Sequence, residues 1–113
     1  MDVALRLNPR DPWRYLTLMV KGSSLRILGR HDEAIAHCRQ ACQHPGISFL
    51  PYMLLAAALA AGGRKGEART PLEKAIQLQP ALSISFIRRN FAGAHESYLT
   101  SMFDSLRKVG VPE

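Results

Sequence analysis

Two stretches decide the fold. Residues 22–34 read Gly-Ser-Ser-Leu-Arg-Ile-Leu-Gly-Arg-His-Asp-Glu-Ala, and residues 56–68 read Ala-Ala-Ala-Leu-Ala-Ala-Gly-Gly-Arg-Lys-Gly-Glu-Ala. The matching pairs, all 34 positions apart, are Gly22 and Ala56, Leu25 and Leu59, Gly29 and Gly63, Arg30 and Arg64, Glu33 and Glu67, Ala34 and Ala68, and Ala41 and Ala75. A fixed offset of this length that includes turn residues indicates an internal structural repeat.

The first unit predicts two helices joined by a short turn. Asp11-Pro12 is typical of a helix start, because Asp caps a helix and Pro suits its first turn. Gly29 predicts the end of that helix, since glycine tolerates the left-handed conformation of a C-terminal turn. We expect Asp32 to cap the next helix, which His44-Pro45-Gly46 ends.

The second unit predicts the same hairpin. Ser48 is a candidate cap, Pro51 falls in the first turn of its helix, and Gly62-Gly63 ends that helix. A further helix is expected from about Gly66 to Gln79. Pro71 is expected early in that helix, where its missing N–H costs least.

Outside the two units the period is lost, which predicts an all-α chain with distinct ends. We expect four parts: 1–9, the end of a preceding repeat helix; 10–46 and 47–80, the two hairpins; and 81–113, a short helix (about Ser83–Asn90) and a C-terminal capping helix (about Ala94–Val109). The apolar face of the capping helix, with Tyr98, Leu99, Met102, Phe103 and Leu106, is expected to close the open end of the stack.

The repeated residues resemble the tetratricopeptide repeat. Small residues at 22 and 56, Gly-Arg before Glu-Ala, the later Ala41 and Ala75, and Pro80 carry this resemblance over about residues 12–80. It implies an α-α superhelix of helical hairpins that binds other proteins. The chain departs from the family where Cys38 and Leu72 replace a large aromatic residue, and Trp13 is displaced.

The last eight residues resemble a narrower group. Leu106-Arg107-Lys108-Val109-Gly110-Val111-Pro112-Glu113 is similar to the ending of bacterial regulators in which a class III adenylate or guanylate cyclase domain, or a winged-helix domain, precedes tetratricopeptide repeats. The resemblance implies the C-terminal, regulatory part of a bacterial adenylate cyclase that signals through cyclic nucleotides. None of the catalytic cyclase segment is in these 113 residues.

Composition and charge argue against several partners. The net charge is +6, but basic residues are scattered and are not interleaved with aromatics, so no nucleic acid is expected as a partner. No apolar run is long enough to cross a membrane, and no signal peptide is evident. A cytoplasmic location is therefore expected, with Cys38 and Cys42 as reduced thiols.

The sequence offers no candidate catalytic, cofactor or metal-binding residue. Its histidines, His31, His37, His44 and His95, do not form a spacing typical of a nucleophile with its base. Cys38 and Cys42, one helical turn apart, lack the second pair of ligands that a zinc site needs. The chain is expected not to be an enzyme by itself. The resemblance of its last eight residues implies that the parent protein is a cyclase.

The remaining hypothesis is a partner-binding groove on the first helix of each hairpin, as the family resemblance implies. Its candidate residues are Leu16, Met19, Val20, Ser23, Arg26 and Ile27, with Leu50, Met53, Leu54, Ala57 and Ala61. Exposed together, Met19, Val20, Met53 and Leu54 would form an apolar patch for a protein or peptide partner. The alternative is that the terminal helix, or a second copy in a homodimer, covers this patch.

Overall fold

A computed structural model describes residues 14–43, 48–91, 93 and 96–113, and their regular structure is entirely α-helical. The helices are α1, Arg14–Ile27; α2, His31–Cys42; α3, Leu50–Ala61; α4, Lys65–Leu78; α5, Ile84–Asn90; and α6, Glu96–Lys108. The predicted all-α class is confirmed. The helix remnant expected in residues 1–9, the start at Asp11-Pro12 and the break at 44–46 lie outside the described residues.

The helices form two hairpins that stack on each other. Helix α1 packs against α2, α3 packs against α4, and the hairpins meet through α2 with α3 and α1 with α3. Small residues of the repeat, such as Ala34, Ala56 and Ala68, have no exposed surface. Because they carry at most a methyl group, the helices of each hairpin can approach closely. The chain is an α-α superhelix of helical hairpins.

The two hairpins turn in the same way after their first helices. Gly29 has a φ of 80° and Gly63 a φ of 79°. The N–H of Arg30 donates to the carbonyl of Leu25 at 2.9 Å, and the equivalent bond 34 residues later is 2.8 Å long. This bond is typical of a Schellman motif with glycine in the left-handed region. The prediction that these glycines end the helices is confirmed.

Helix α2 starts earlier than predicted. It begins at His31, and Arg30 rather than Asp32 is its N-cap, without a side-chain capping bond. Arg30 instead donates through Nη2 to Glu33 at 2.8 Å, which fixes the turn before the helix. Asp32 lies in the first helical turn, where its negative charge faces the positive end of the helix dipole.

Two other predictions of local structure were wrong in detail. Phe49, not Ser48, is the N-cap of α3, and the Ser48 hydroxyl accepts a bond from the N–H of Leu50 at 3.3 Å. Pro71 lies in the interior of α4, Lys65–Leu78, about two turns from its start rather than within the first turn. Pro71 has no N–H for the carbonyl four residues before it, which removes one helical hydrogen bond.

Helix α3 is the centre of the molecule. It contacts α1, α2, α4 and α6, and residues 53–60 are all buried. Its sequence, Leu-Pro-Tyr-Met-Leu-Leu-Ala-Ala-Ala-Leu-Ala-Ala, is apolar at every position, as expected for a helix surrounded by others. The predicted apolar face of α6 is also buried, with Phe103 and Leu106 at most 1% exposed.

The end of the chain is attached to the start of α5. The Ser83 hydroxyl caps α5 by accepting from the N–H of Phe86 at 3.0 Å. Two N–H groups of the first turn of α5 bond the end of the chain. The N–H of Ile84 donates to the carbonyl of Pro112, and the N–H of Ser85 donates to the carbonyl of Glu113, each at 2.8 Å. These bonds place the turn after α6 beside α5.

Candidate partner-binding groove

The predicted groove residues differ widely in exposure. Val20 is 59% exposed, whereas Met19 and Leu54 are only 4% and 5% exposed, and Met53 is fully buried. The four side chains are therefore not exposed together as an apolar patch. Ala57 is also fully buried, and Ser23 and Arg26 are nearly so. The side chain of Leu16 lies outside the described residues.

Helix α6 covers part of this surface, because it lies against the first helices of both hairpins. It packs against α3 and also contacts α1. Arg26 Nη1 donates to Ser101 Oγ at 2.9 Å, and the Tyr98 hydroxyl lies 3.4 Å from Ser23 Oγ. The sequence analysis allowed either the terminal helix or a second copy of the chain to cover this surface, and the structure shows the terminal helix there.

An apolar groove remains beside α6. We call it the α1–α3 groove; its volume is about 300 Å³. It is lined by Met19, Val20, Ser23, Ser24 and Ile27 of α1, Leu50 and Leu54 of α3, and Phe91 and Tyr98. Six of these residues were among the predicted candidates. Arg26, Met53, Ala57 and Ala61 do not line it.

Sequence reasoning missed Ser24, Phe91 and Tyr98 as groove residues. Tyr98 was predicted to lie on the packing face of α6, and it is half-buried as that prediction requires. Nothing in its spacing indicates that one edge of its ring reaches α1. Phe91 directly follows the short helix α5, where no repeat fixes its position.

The chemistry of the groove favours apolar contacts. Val20 and Ile27 are 59% and 52% exposed at its edge, so they extend the apolar surface of the groove. The Ser24 hydroxyl donates to the carbonyl of Val20 at 3.0 Å, so this hydroxyl is used within its own helix. Ser23 and Tyr98 lie within hydrogen-bonding distance of each other. The groove thus offers apolar surface with few free polar groups.

More than half of the residues that line this groove belong to helix α1 of the first hairpin. Residues 16–43 match the tetratricopeptide repeat family. The match begins inside α1 and ends one residue after α2, so it covers the first hairpin. No curated protein and no solved structure matches the chain.

The hairpin that matches the tetratricopeptide repeat contains both cysteines, and neither resembles a reactive thiol. Cys38 is 1% exposed, and burial raises its pKa to about 11. Burial likewise raises the pKa of Cys42 to about 12. Both thiols are neutral near pH 7, whereas nucleophiles and metal ligands are thiolates.

In the described part of the chain, no three His, Cys, Asp or Glu side chains are grouped so as to hold a metal ion. None of the helices described is long and apolar enough to cross a membrane.

Proposed function

We propose that the chain is a protein-interaction module whose α1–α3 groove binds apolar side chains of a partner protein. The observation that carries the proposal is the exposure of Val20 and Ile27 beside an open apolar groove. The tetratricopeptide match supports a protein partner, because the residues of α1 that line the groove lie within it. Apolar contacts of this kind suit an amphipathic helix or an extended peptide.

We further propose that the module is the C-terminal part of a bacterial adenylate cyclase that acts in cyclic-nucleotide signalling. Its support is the resemblance of residues 106–113 to the ending of such regulators. The module would couple the catalytic part, in the cytoplasm, to a partner protein or to a second subunit in a homodimer. A tetratricopeptide segment of a winged-helix regulator and a structural spacer are the alternatives. Nucleic acid is not an expected partner of the module, whether it couples the cyclase to a partner protein or to a second subunit.

The groove is tested by selecting peptides from a displayed random library on the purified chain. We expect peptides with apolar anchor residues. Val20→Glu should remove their binding, because it places a charge in the groove. Leu28→Lys is the matched control, since Leu28 is 71% exposed directly after the same helix but does not line the groove. A chain that selects no peptide would be a spacer.

The homodimer is tested by size-exclusion chromatography with light scattering. A native dimer that becomes a folded monomer in Val20→Glu would identify the groove as a self-association surface. Monomers throughout would leave the groove to an unlike partner. Substitutions at Met53 are unsuitable here, because a charge at a fully buried position tests folding rather than binding.

The cyclase setting has its own test. Protein captured from the source cells with an antibody against this chain should convert ATP to cyclic AMP. A captured protein without that activity, and with a winged-helix segment, would favour the transcriptional alternative.

A further inference from the structure

A second, polar cleft lies where α6 passes the end of α1 and the start of α2. Arg26 and His31 line it from the first hairpin, and Thr100, Ser101 and Asp104 line it from α6. It is distinct in chemistry from the α1–α3 groove, whose lining is mainly apolar. Arg26 is the charged residue among the predicted site residues that do not line the α1–α3 groove.

Among the residues that the structure describes, Arg26 is a buried cation without an acidic partner. The residue is 4% exposed. Its Nη1 bonds the neutral hydroxyl of Ser101, and its Nη2 is buried without a hydrogen-bond partner. Among the ion pairs between described residues, none involves Arg26. Burial lowers the pKa of its guanidinium, and the groups that oppose this effect are Tyr98 and Cys38 rather than a carboxylate.

His31 has an unsatisfied atom in the same cleft. Its Nδ1 is buried and has no hydrogen-bond partner. Within the described part of the chain, Arg26 Nη2 and His31 Nδ1 are the buried side-chain nitrogen or oxygen atoms left in this condition. Unsatisfied buried polar atoms are rare in native proteins, so two of them in residues that line one cleft call for a hydrogen-bonding partner, either a ligand or an ordered water.

The charges around the cleft select a monoanion. Arg26 and Lys108, which both line the cleft, each supply one full positive charge, and the N-terminus of α2, where His31 stands, supplies a partial one. Glu96 and Asp104 also line the cleft, with Arg88 and Arg107 as their respective ion-pair partners at 3.6 and 3.9 Å. Their negative charge opposes a dianion such as phosphate more strongly than a carboxylate.

We propose that this cleft binds an Asp or Glu side chain of the partner protein, with Arg26 and His31 as the binding residues. The carboxylate replaces the Ser101 hydroxyl on Arg26, and a charge-assisted hydrogen bond is stronger than the neutral-acceptor bond that it displaces. Tyr98 connects the two sites, because its ring lines the α1–α3 groove and lies 5.8 Å from the Arg26 guanidinium. The inference rests on the proposed function and specifies its partner as a segment with both an apolar and an acidic residue.

The first test uses the native chain. The isotope-labelled protein is titrated with N-acetyl-L-glutamate N-methylamide, and separately with the glutamine counterpart, at constant ionic strength. We expect saturable NMR shifts of the Arg26 side chain, the His31 ring and the Ser101 amide with the glutamate compound alone. Equal shifts with the glutamine compound, or no shifts at these residues, would overturn the proposal.

The second test uses variants. Arg26→Met should abolish the saturable shifts, whereas Lys65→Met, which removes an exposed cation outside the cleft, should leave them unchanged. His31→Gln should weaken binding about tenfold, the effect of losing one charged hydrogen bond. Because His31 is partly exposed, we expect His31→Gln to fold. This variant therefore tests the proposal even if Arg26→Met does not fold. Unchanged affinity in folded His31→Gln would refute its role.

The peptide selection separates this inference from the proposed function. Peptides selected on the native chain should be enriched in Asp and Glu beside their apolar anchors. Apolar peptides without acidic residues would leave the proposed function standing and overturn the carboxylate site. A library that yields no peptide, together with a positive glutamate titration, would overturn the proposed function and leave the carboxylate site standing.

Discussion

Gly22 provides a sharp test of how closely the first hairpin is packed. A Cβ added at Gly22 would lie 2.7 Å from the Sγ of Cys38 and 3.3 Å from the carbonyl oxygen of Ala34. Both distances are shorter than ordinary van der Waals contacts, so Gly22→Ala forces the Cys38 side chain to move. Cys38 is 1% exposed and has little space in which to do so.

The expected size of the effect follows from two opposing terms. Overpacking a core costs about 1–3 kcal/mol, whereas alanine favours a helix interior over glycine by about 1 kcal/mol. We therefore expect Gly22→Ala to lower the free energy of unfolding by about 1 kcal/mol. In a Cys38→Ala background the sulfur is absent, and the same change should be neutral or stabilising by up to about 1 kcal/mol.

The assay is urea unfolding, followed by circular dichroism, of the native chain, both single variants and the double variant. The cycle should give a coupling energy of about 1–2 kcal/mol between Gly22 and Cys38. Gly66→Ala is the control, because a Cβ there meets nothing within 4 Å; it should stabilise by about 0.4–1 kcal/mol. If Gly22→Ala costs the same in both backgrounds, the contact with the Cys38 thiol does not limit the approach of α1 to α2.

Other predictions concern the turns, the buried thiol and the α6 core. Gly29→Ala and Gly63→Ala should each cost about 1–2 kcal/mol in urea unfolding, because φ is positive at both positions; a gain would refute the Schellman geometry. The pKa of Cys38 is raised to about 11, so its contribution to stability is fully present below its unfolded pKa and is lost as the pH rises through 11. Cys38→Ala should accordingly flatten the fall in stability between pH 9 and 11, as thermal melts would show. Phe103→Ala should cost about 3–5 kcal/mol, because the ring is 1% exposed beneath Arg88; a loss below about 1 kcal/mol in the same urea assay would contradict this packing.

Much of the fold could be predicted because the repeat carries its own turn chemistry. Gly29 and Gly63 lie 34 residues apart and end their helices in the same way, since both positions need a positive φ. The helix starts were less predictable. Arg30 precedes α2 without any capping side chain, and the pattern of capping residues pointed instead to Asp32.

The candidate site was predicted only in part. Helical spacing placed Val20 and Leu54 on the correct helices, but it could not show which side of α3 would face α6, because no repeat relates α6 to the hairpins. One signal for the missed burial was present in the sequence. A helix that is apolar on every side, as α3 is, has no solvent face on which Met53 or Ala57 could be displayed.

The position of α6 also limits how this protein can vary in length. In an ordinary solenoid each unit contacts only its neighbours, so units can be duplicated or deleted without loss of the rest. Here Ser101 of α6 bonds Arg26 of the first hairpin, while α6 packs against α3 of the second. A unit inserted between the hairpins would separate α6 from one of them. The span from α1 to α6 therefore behaves as a closed unit of fixed repeat number, to which further hairpins can be added only outside it.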